Sequence, residues 1–342
     1  MLARLKAAGR MLLKGEGGGN KRQEIPAITP AEIEEVRQFF PRRKFFIMGH
    51  ARSGTTLLMR LVRLHPEVHC SYQAHFFTRR PLLKSLVDTS EAEEWLARKS
   101  NRWNRGRDLS PVVLRAAADM ILERDAQRVG KNIVGDKSPS SNIHGQAVRE
   151  MHAVYPDARL VCIVRDGRDV AVSERFRNLV EESRFLSAED RRILAALRKD
   201  ASPFLDGSRS IFTDAFLRRV GSGWARNLDE IETEARRLYA EAFLTLRYED
   251  LLHNPFDEMS RLWRFLGVRS LEDGLKASIE EEQAANPDEE WQSQRGPGIS
   301  ALLPKGKPGN WLRLFTQRDR QTFKEAAGET LLRWRYESSH DW

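Results

Sequence analysis

Gly49-His50-Ala51-Arg52-Ser53-Gly54-Thr55-Thr56 is the stretch that decides how this chain is read. The apolar run Lys44-Phe45-Phe46-Ile47-Met48 precedes it and reads as a buried strand. Leu57-Leu58-Met59-Arg60-Leu61-Val62-Arg63-Leu64 follows it and reads as a helix. Strand, glycine-containing turn and helix is the arrangement that aims backbone N–H groups at a phosphate. Gly49 and Gly54 have the spacing of a P-loop, but Thr55 stands where nucleoside triphosphatases carry the Lys that reaches the β- and γ-phosphates. The turn therefore predicts a nucleotide with no γ-phosphate to grip. Its amides and the hydroxyls of Ser53, Thr55 and Thr56 would hold one phosphate, and Arg52 would bring a charge to a bridging oxygen. A glycine-rich turn that binds nothing is the alternative for this stretch taken alone.

The chain has 342 residues, room for one large α/β domain or a core with a helical insertion. It carries 57 Lys and Arg against 49 Asp and Glu, a net charge of +8. That excess suits solubility, or an anionic partner: a phosphorylated nucleotide, an acidic glycan, a membrane surface or nucleic acid. The basic residues are dispersed and show neither zinc-finger spacing nor an aromatic RNA-binding signature, so nucleic acid is not the expected partner. Cys70 and Cys162 give no disulfide framework and no metal-ligand pattern, and predict a reducing compartment; Cys162 reads as core within Leu160–Val164. No segment approaches the ~18 uninterrupted apolar residues of a membrane span. Met1–Leu13 has a short basic amphipathic pattern, too broken by Lys6, Gly9 and Arg10 for a signal peptide. Its two readings are a frayed terminus and a weak membrane-surface contact, and the expected location is cytoplasmic.

Residues 1–40 read as a tail, a Gly/Pro linker and a short helix ended by Pro41, and residues 41–342 as a single domain with helical insertions. Strands are expected at 44–48, 133–135, 159–164 and 242–247, separated by helical stretches. One of these is a long helix to Val129, with Ser110 as N-cap and Pro111 at its first position. The fold class is therefore α/β, a central parallel sheet flanked by helices. Residues 280–309 read as a long loop or lid. In such sheets the ligand lies beyond the carboxyl ends of the strands, where two further motifs fall.

The first is Arg165-Asp166-Gly167-Arg168-Asp169-Val170-Ala171-Val172-Ser173, following the strand at 159–164. Arg165 and Ser173 can clamp a second, separate phosphate. Otherwise the stretch is an ordinary turn with surface ion pairs and Gly167 a turn residue. The second is Leu303-Pro304-Lys305-Gly306-Lys307-Pro308-Gly309-Asn310-Trp311, a mobile cationic flap or a solvated loop anchored by Trp311. Two anion sites at two strand ends, with a cationic flap, describe a nucleotide phosphorylated at two places.

On these residues the chain resembles the sulfotransferases that use 3′-phosphoadenosine-5′-phosphosulfate. Arg52-Ser53-Gly54-Thr55-Thr56-Leu57-Leu58 is similar to their 5′-phosphosulfate loop, and the Arg165–Ser173 stretch to their 3′-phosphate motif. Lys305-Gly306-Lys307-Pro308-Gly309-Asn310-Trp311 is similar to their C-terminal flap, and Arg247-Tyr248-Glu249-Asp250-Leu251-Leu252 to the segment whose tyrosine lies near the adenine. The resemblance implies a three-layer architecture like that of the P-loop NTPases. It implies that Arg52, Ser53, Gly54, Thr55 and Thr56 hold the 5′-phosphosulfate, that Arg165 and Ser173 bind the 3′-phosphate, that Lys305 and Gly306 close over it, and that Tyr248 flanks the base. Pro304 departs from the Arg of cytosolic members, with Lys307 or Arg313 as compensation.

The implied reaction is in-line transfer of a sulfuryl group to an acceptor hydroxyl, without a metal. Arg52 and Lys137, in Gly135-Asp136-Lys137-Ser138-Pro139, are the candidates to meet charge on the leaving oxygen; a surface lysine beside a turn is the alternative for Lys137. Carbohydrate, tyrosylprotein and bacterial members place a Glu base soon after the phosphate-loop helix, but here that register gives Gln73, which takes no proton. His75 is then the candidate base, with Glu67 as the other option and a packing role beside Phe76 and Phe77 as the alternative. Tyr72, Trp95, Trp103, Phe185, Phe204 and Phe212 are offered for acceptor contact. A carbohydrate or glycolipid hydroxyl is the favoured acceptor, with tyrosine as another. A small-molecule kinase is disfavoured by Thr55 and by the lack of a clear Mg²⁺ ligand; a non-catalytic nucleotide- or glycan-binding relative draws its support from Gln73.

Overall fold

The apolar run at 44–48 is the centre of the sheet. In a computed structural model describing residues 25–79, 83–141, 145–181, 186–269, 273–285 and 306–342, five strands form one sheet. These are β1 (Arg43–Gly49), β2 (Val68–Tyr72), β3 (Ile133–Lys137), β4 (Arg159–Val164) and β5 (Phe243–Arg247). Their order is β2-β3-β1-β4-β5, and every pairing is parallel. Parallel neighbours need crossovers, and the crossovers put helices on both faces. Phe46 and Met48 point into the core made with the Gly145–Val154, Asp214–Tyr239 and Gln317–Arg333 helices, which supply Val148, Trp224 and Phe323. Phe45 and Ile47 point the other way, toward Leu58, Leu61 and Trp263 on the Thr55–Val62 and Pro255–Leu266 helices. Burial on both faces is why the strand reads as a continuous apolar run rather than an alternating one.

Because all strands are parallel, the carboxyl ends of β1, β3, β4 and β5 lie along one edge, which brings the sequence motifs together. The chain differs from its sequence reading in several places. β2 is an additional edge strand, with Tyr72 exposed, and its polar His69, Ser71 and Tyr72 carry no strong strand signal. Ser110 is the first helical residue rather than the cap of Ser110–Arg128; Leu109 holds the cap position without a side-chain bond. Residues 280–284 belong to the Asp273–Ala284 helix rather than to a loop. Residues 286–305 of that expected lid and the Met1–Leu13 pattern lie outside the described residues. Residues 25–40 are packed on the domain: Ile28, Ile33 and Val36 are buried, and Ile28 N donates to Ala153 O (2.8 Å). Among the described residues no helix is long and apolar enough to cross a membrane.

The amino edge of the sheet is held by buried charges. Lys44 Nζ lies 2.8 Å from Glu123 Oε1 and 3.4 Å from Asp119 Oδ1, while Arg115 pairs with Asp157 at 2.6 Å. Tyr155 OH donates to Asp119 Oδ1 (2.9 Å). Burial pushes the Asp119 carboxyl up, against the pull of Lys44 and Arg115. Removing one member of such a set leaves uncompensated buried charge. Asp119→Ala is therefore expected to cost about 3–5 kcal/mol, read as a lowered urea midpoint with an unchanged slope.

Candidate active site

The turn after β1 is built without room for side chains at its two glycines. A Cβ on Gly49 would lie 2.6 Å from Ile163 O, and one on Gly54 2.1 Å from Tyr248 Cδ2. Ser53 N donates to His50 O (3.2 Å) and Leu58 N to Gly54 O (3.1 Å), closing the turn onto the Thr55–Val62 helix. Gly54, at φ 86°, is that helix's N-cap and offers no side chain to its first-turn amides, the condition in which they take an anion. Ser53 is fully buried, and its Oγ has no hydrogen-bond partner among the described residues. Thr55 is buried and Thr56 half-buried. Arg52 is exposed, with a left-handed φ of 71°.

Arg165 follows β4 directly and lies against this turn. Its Nη1 donates to Arg52 O (3.2 Å) and its Nη2 to Lys307 O (3.4 Å), while its buried Nε has no partner among the described residues. Arg52 Nε in turn donates to Ser173 Oγ (3.0 Å). The two sequence motifs expected to bind separate phosphates are therefore in contact. Arg168 does make ion pairs, but in the interior: it binds Asp166 at 2.7 Å, pairs with Glu337, and lies 3.7 Å above the Trp311 ring. Gly167 is more than a turn residue, since a Cβ there would meet the Trp224 indole at 2.6 Å.

Tyr248 joins these parts. Its ring lies under Gly54, the Arg165 guanidinium sits 4.7 Å from its centroid, and its OH donates to Gly306 O (2.7 Å). The ring is only 4% exposed, and burial pushes its hydroxyl pKa up. The described part of the C-terminal motif is tied down. Asp169 accepts from Gly309 N (2.7 Å) and Trp311 N (3.2 Å), and Trp311 is buried. This corrects the mobile-flap reading for residues 306–311 in favour of a segment anchored by Trp311. Lys305 lies outside the described residues.

Lys137 is not a surface lysine. It is fully buried, its Nζ lies 3.3 Å from Thr56 Oγ1, and it sits 4.0 Å above the Tyr72 ring. His75 is also buried. Its Nδ1 lies 2.8 Å from Thr78 Oγ1, and its Nε2 has no partner among the described residues. Burial, then the charges of Arg79 and Lys137, lower its pKa to about 4. Tyr72, Trp95 and Trp103 are exposed, whereas Phe204 and Phe212 are core residues and leave the list of acceptor contacts; Phe185 lies outside the described residues. Asp169 and Glu249, which binds Asp166 N (3.0 Å) and Tyr336 OH (2.9 Å), were not singled out in sequence. Their only signal was position inside the motifs. Among the described residues no cluster of His, Cys, Asp and Glu could hold a metal ion.

Comparison with known proteins gives a coherent set. A model of the Sulfotransferase family matches residues 44–273. Heparan sulfate glucosamine 3-O-sulfotransferase 6 of Mus musculus is 28% identical over 232 residues, covering 67% of this chain and 54% of that protein. Protein-tyrosine sulfotransferase A of Caenorhabditis elegans is 30% identical over 127 residues, covering 36% of this chain and 30% of that protein. The chain spans about half the length, or less, of these curated relatives. Among solved structures, mouse sulfotransferase SULT7A1 complexed with PAP aligns with a TM-score of 0.46 and 16% identity, covering 89% of this chain and 90% of that one.

The contact between Gly54 and Tyr248 is testable by a double-mutant cycle. Gly54→Ala is expected to cost about 1–3 kcal/mol, since the new Cβ meets the ring and the φ is left-handed. Gly54→Ala/Tyr248→Ala, which removes the ring, should cost less than the sum of the single changes by at least ~0.5 kcal/mol in urea unfolding. Additive costs would show that the ring does not set the loop.

Proposed function

The chain belongs to the sulfotransferase family, and we propose that it moves a sulfuryl group from 3′-phosphoadenosine-5′-phosphosulfate to a hydroxyl of a carbohydrate or glycolipid. The observation that carries this reading is the junction of Arg52, Arg165 and Ser173, where the two motifs proposed as anion sites meet at the ends of β1 and β4. The residues fit such a nucleotide: Ser53 Oγ and Arg165 Nε are buried polar atoms with no partner among the described residues, and both belong to the two anion motifs. Ser53, Gly54, Thr55 and Thr56 hold the 5′-phosphosulfate, Arg165 and Ser173 hold the 3′-phosphate, and Gly306, with Lys305, covers it. Tyr248 flanks the base side of this site.

The bound nucleotide supplies a sulfuryl group attached to its 5′-phosphate. Arg52 and Lys137 place positive charge at the bridging oxygen where negative charge gathers. Lys137, fully buried, does so in a site with little water to screen it. His75 takes the acceptor proton through Nε2, the ring nitrogen without a partner among the described residues. The acceptor class draws support from relatives named for heparan sulfate glucosamine, and tyrosine remains a second class because another relative is named for protein tyrosine. Both cysteines are free and buried, which fits a reducing, cytoplasmic setting. A non-catalytic binder is the second reading, favoured by Gln73 and by the weak basicity of His75.

Calorimetric titration with 3′-phosphoadenosine 5′-phosphate should show saturable binding, weakened about tenfold or more in Arg165→Ala, as expected for hydrogen bonds to charged groups. No binding would end the proposal. Binding without transfer of labelled sulfate to any glycan would favour the second reading. For the base, His75 is neutral above its lowered pKa of about 4 and charged below it. Turnover should therefore hold level from about pH 8 to about pH 5 and fall on further acidification, and His75→Ala should lose about 10²–10⁴-fold. Full turnover in His75→Ala removes that residue from the mechanism.

A further inference from the structure

We infer that Asp136 and Ser138 are positioning residues whose side chains hold the Gln73-Ala74-His75 turn in a strained form beside the donor site. β2 and β3 run in register, with Ser71 opposite Asp136 and Tyr72 opposite Lys137. Where the ladder ends, residues 136–138 go on to take the next three amides of the neighbouring chain. Gln73 N donates to Lys137 O (2.9 Å), Ala74 N to Asp136 Oδ1 (2.9 Å) and His75 N to Ser138 Oγ (2.8 Å). Ser138 Oγ also donates to Asp136 Oδ2, so the two acceptors are joined. Asp136 and Ser138 are both buried, at 2% and 5% exposure, so water does not compete for these bonds.

The turn needs this hold. Gln73 and His75 have φ of 55° and 52°, a left-handed conformation at two non-glycine residues separated by one. Each costs on the order of 1–3 kcal/mol. A bond to a neutral acceptor offsets about 1 kcal/mol and one to a carboxylate about 1.5–3. The side-chain bonds are thus of the size of the strain, and losing one tips the balance. Two of residues 136–138 also reach β1 and the start of the helix after its loop. Lys137, between the two holding side chains, extends to Thr56, and Ser138 N donates to Ile47 O (3.1 Å) in β1. The turn that bears the candidate base is therefore fixed to the same strand end that touches the donor loop.

The test is an NMR titration of the His75 ring protons in the full chain, with the kinetic arm resting on the sulfotransferase reading and the titration arm independent of it. In the parent protein burial and the charges of Arg79 and Lys137 should hold the His75 titration down at about 4. Ser138→Ala releases the His75 amide, so the ring should become wetter and its pKa should rise toward the ordinary 6.5. Ser138→Thr keeps the hydroxyl and should leave it near the parent value. Asp136→Asn keeps an oxygen for Ala74 N but cannot accept from the Ser138 hydroxyl, and should also raise it; this variant decides the matter if Ser138→Ala does not fold. Sulfate transfer by Ser138→Ala should fall about ten- to a hundredfold in kcat with donor KM unchanged, as for a misplaced reacting group, and Ser138→Thr should restore it. A His75 pKa that stays low in folded Ser138→Ala and Asp136→Asn overturns the proposal. A raised pKa with no transfer even by the parent protein supports the latch and removes the transferase reading.

Discussion

The site depends on the contact of one glycine with one aromatic ring. Gly54 turns the chain from β1 into a helix and lies so close to Tyr248 that no side chain fits between them. Tyr248 stands at the end of β5, two strands away from β1 across the sheet. The same ring carries Arg165 from the end of β4 and bonds Gly306 near the C-terminus. Four segments remote in sequence are thereby set around one point. A larger residue at 54 would push them apart, and a smaller one at 248 would leave Arg165 without its support.

The charges follow a division of labour. The carboxylates near the anion sites are spent on the protein itself: Asp166 on Arg168, Asp169 on the amides of Gly309 and Trp311, and Glu249 on Asp166 N and Tyr336. They wire the turn after β4 to the C-terminal segment. Arg52, Arg165 and Lys137 lie at the ends of β1, β4 and β3, and Arg165 also comes within 4.0 Å of Asp169. Burial strengthens what Arg165 and Lys137 can do, because a cation held away from water acts on a nearby anion with little screening. A sheet whose strands were not all parallel would have scattered these residues between two edges.

Much of this could be read from the residues themselves. β4 falls at 159–164 as expected, and β1 differs by one residue at each end, because strands buried on both faces have an apolar signal with sharp limits. β2 was hidden, since an edge strand of His, Cys, Ser and Tyr between single apolar positions looks like a loop. Lys137 could have been a surface lysine; only the tertiary arrangement shows that Tyr72 and Thr56 enclose it. Phe204 and Phe212 looked like acceptor contacts because aromatic residues in a polar segment have no periodicity to show which way they face. The bonds of Asp136 and Ser138 were invisible too, since they reach across to the turn that follows β2.

The most direct test is a crystal structure of the protein with 3′-phosphoadenosine 5′-phosphate. The account predicts the 5′-phosphate on the amides and hydroxyls of residues 53–56, and the 3′-phosphate within hydrogen-bond distance of Arg165 and Ser173, with Lys137 facing the 5′ end. A nucleotide bound anywhere else, or one whose 3′-phosphate lies away from Arg165, would contradict it.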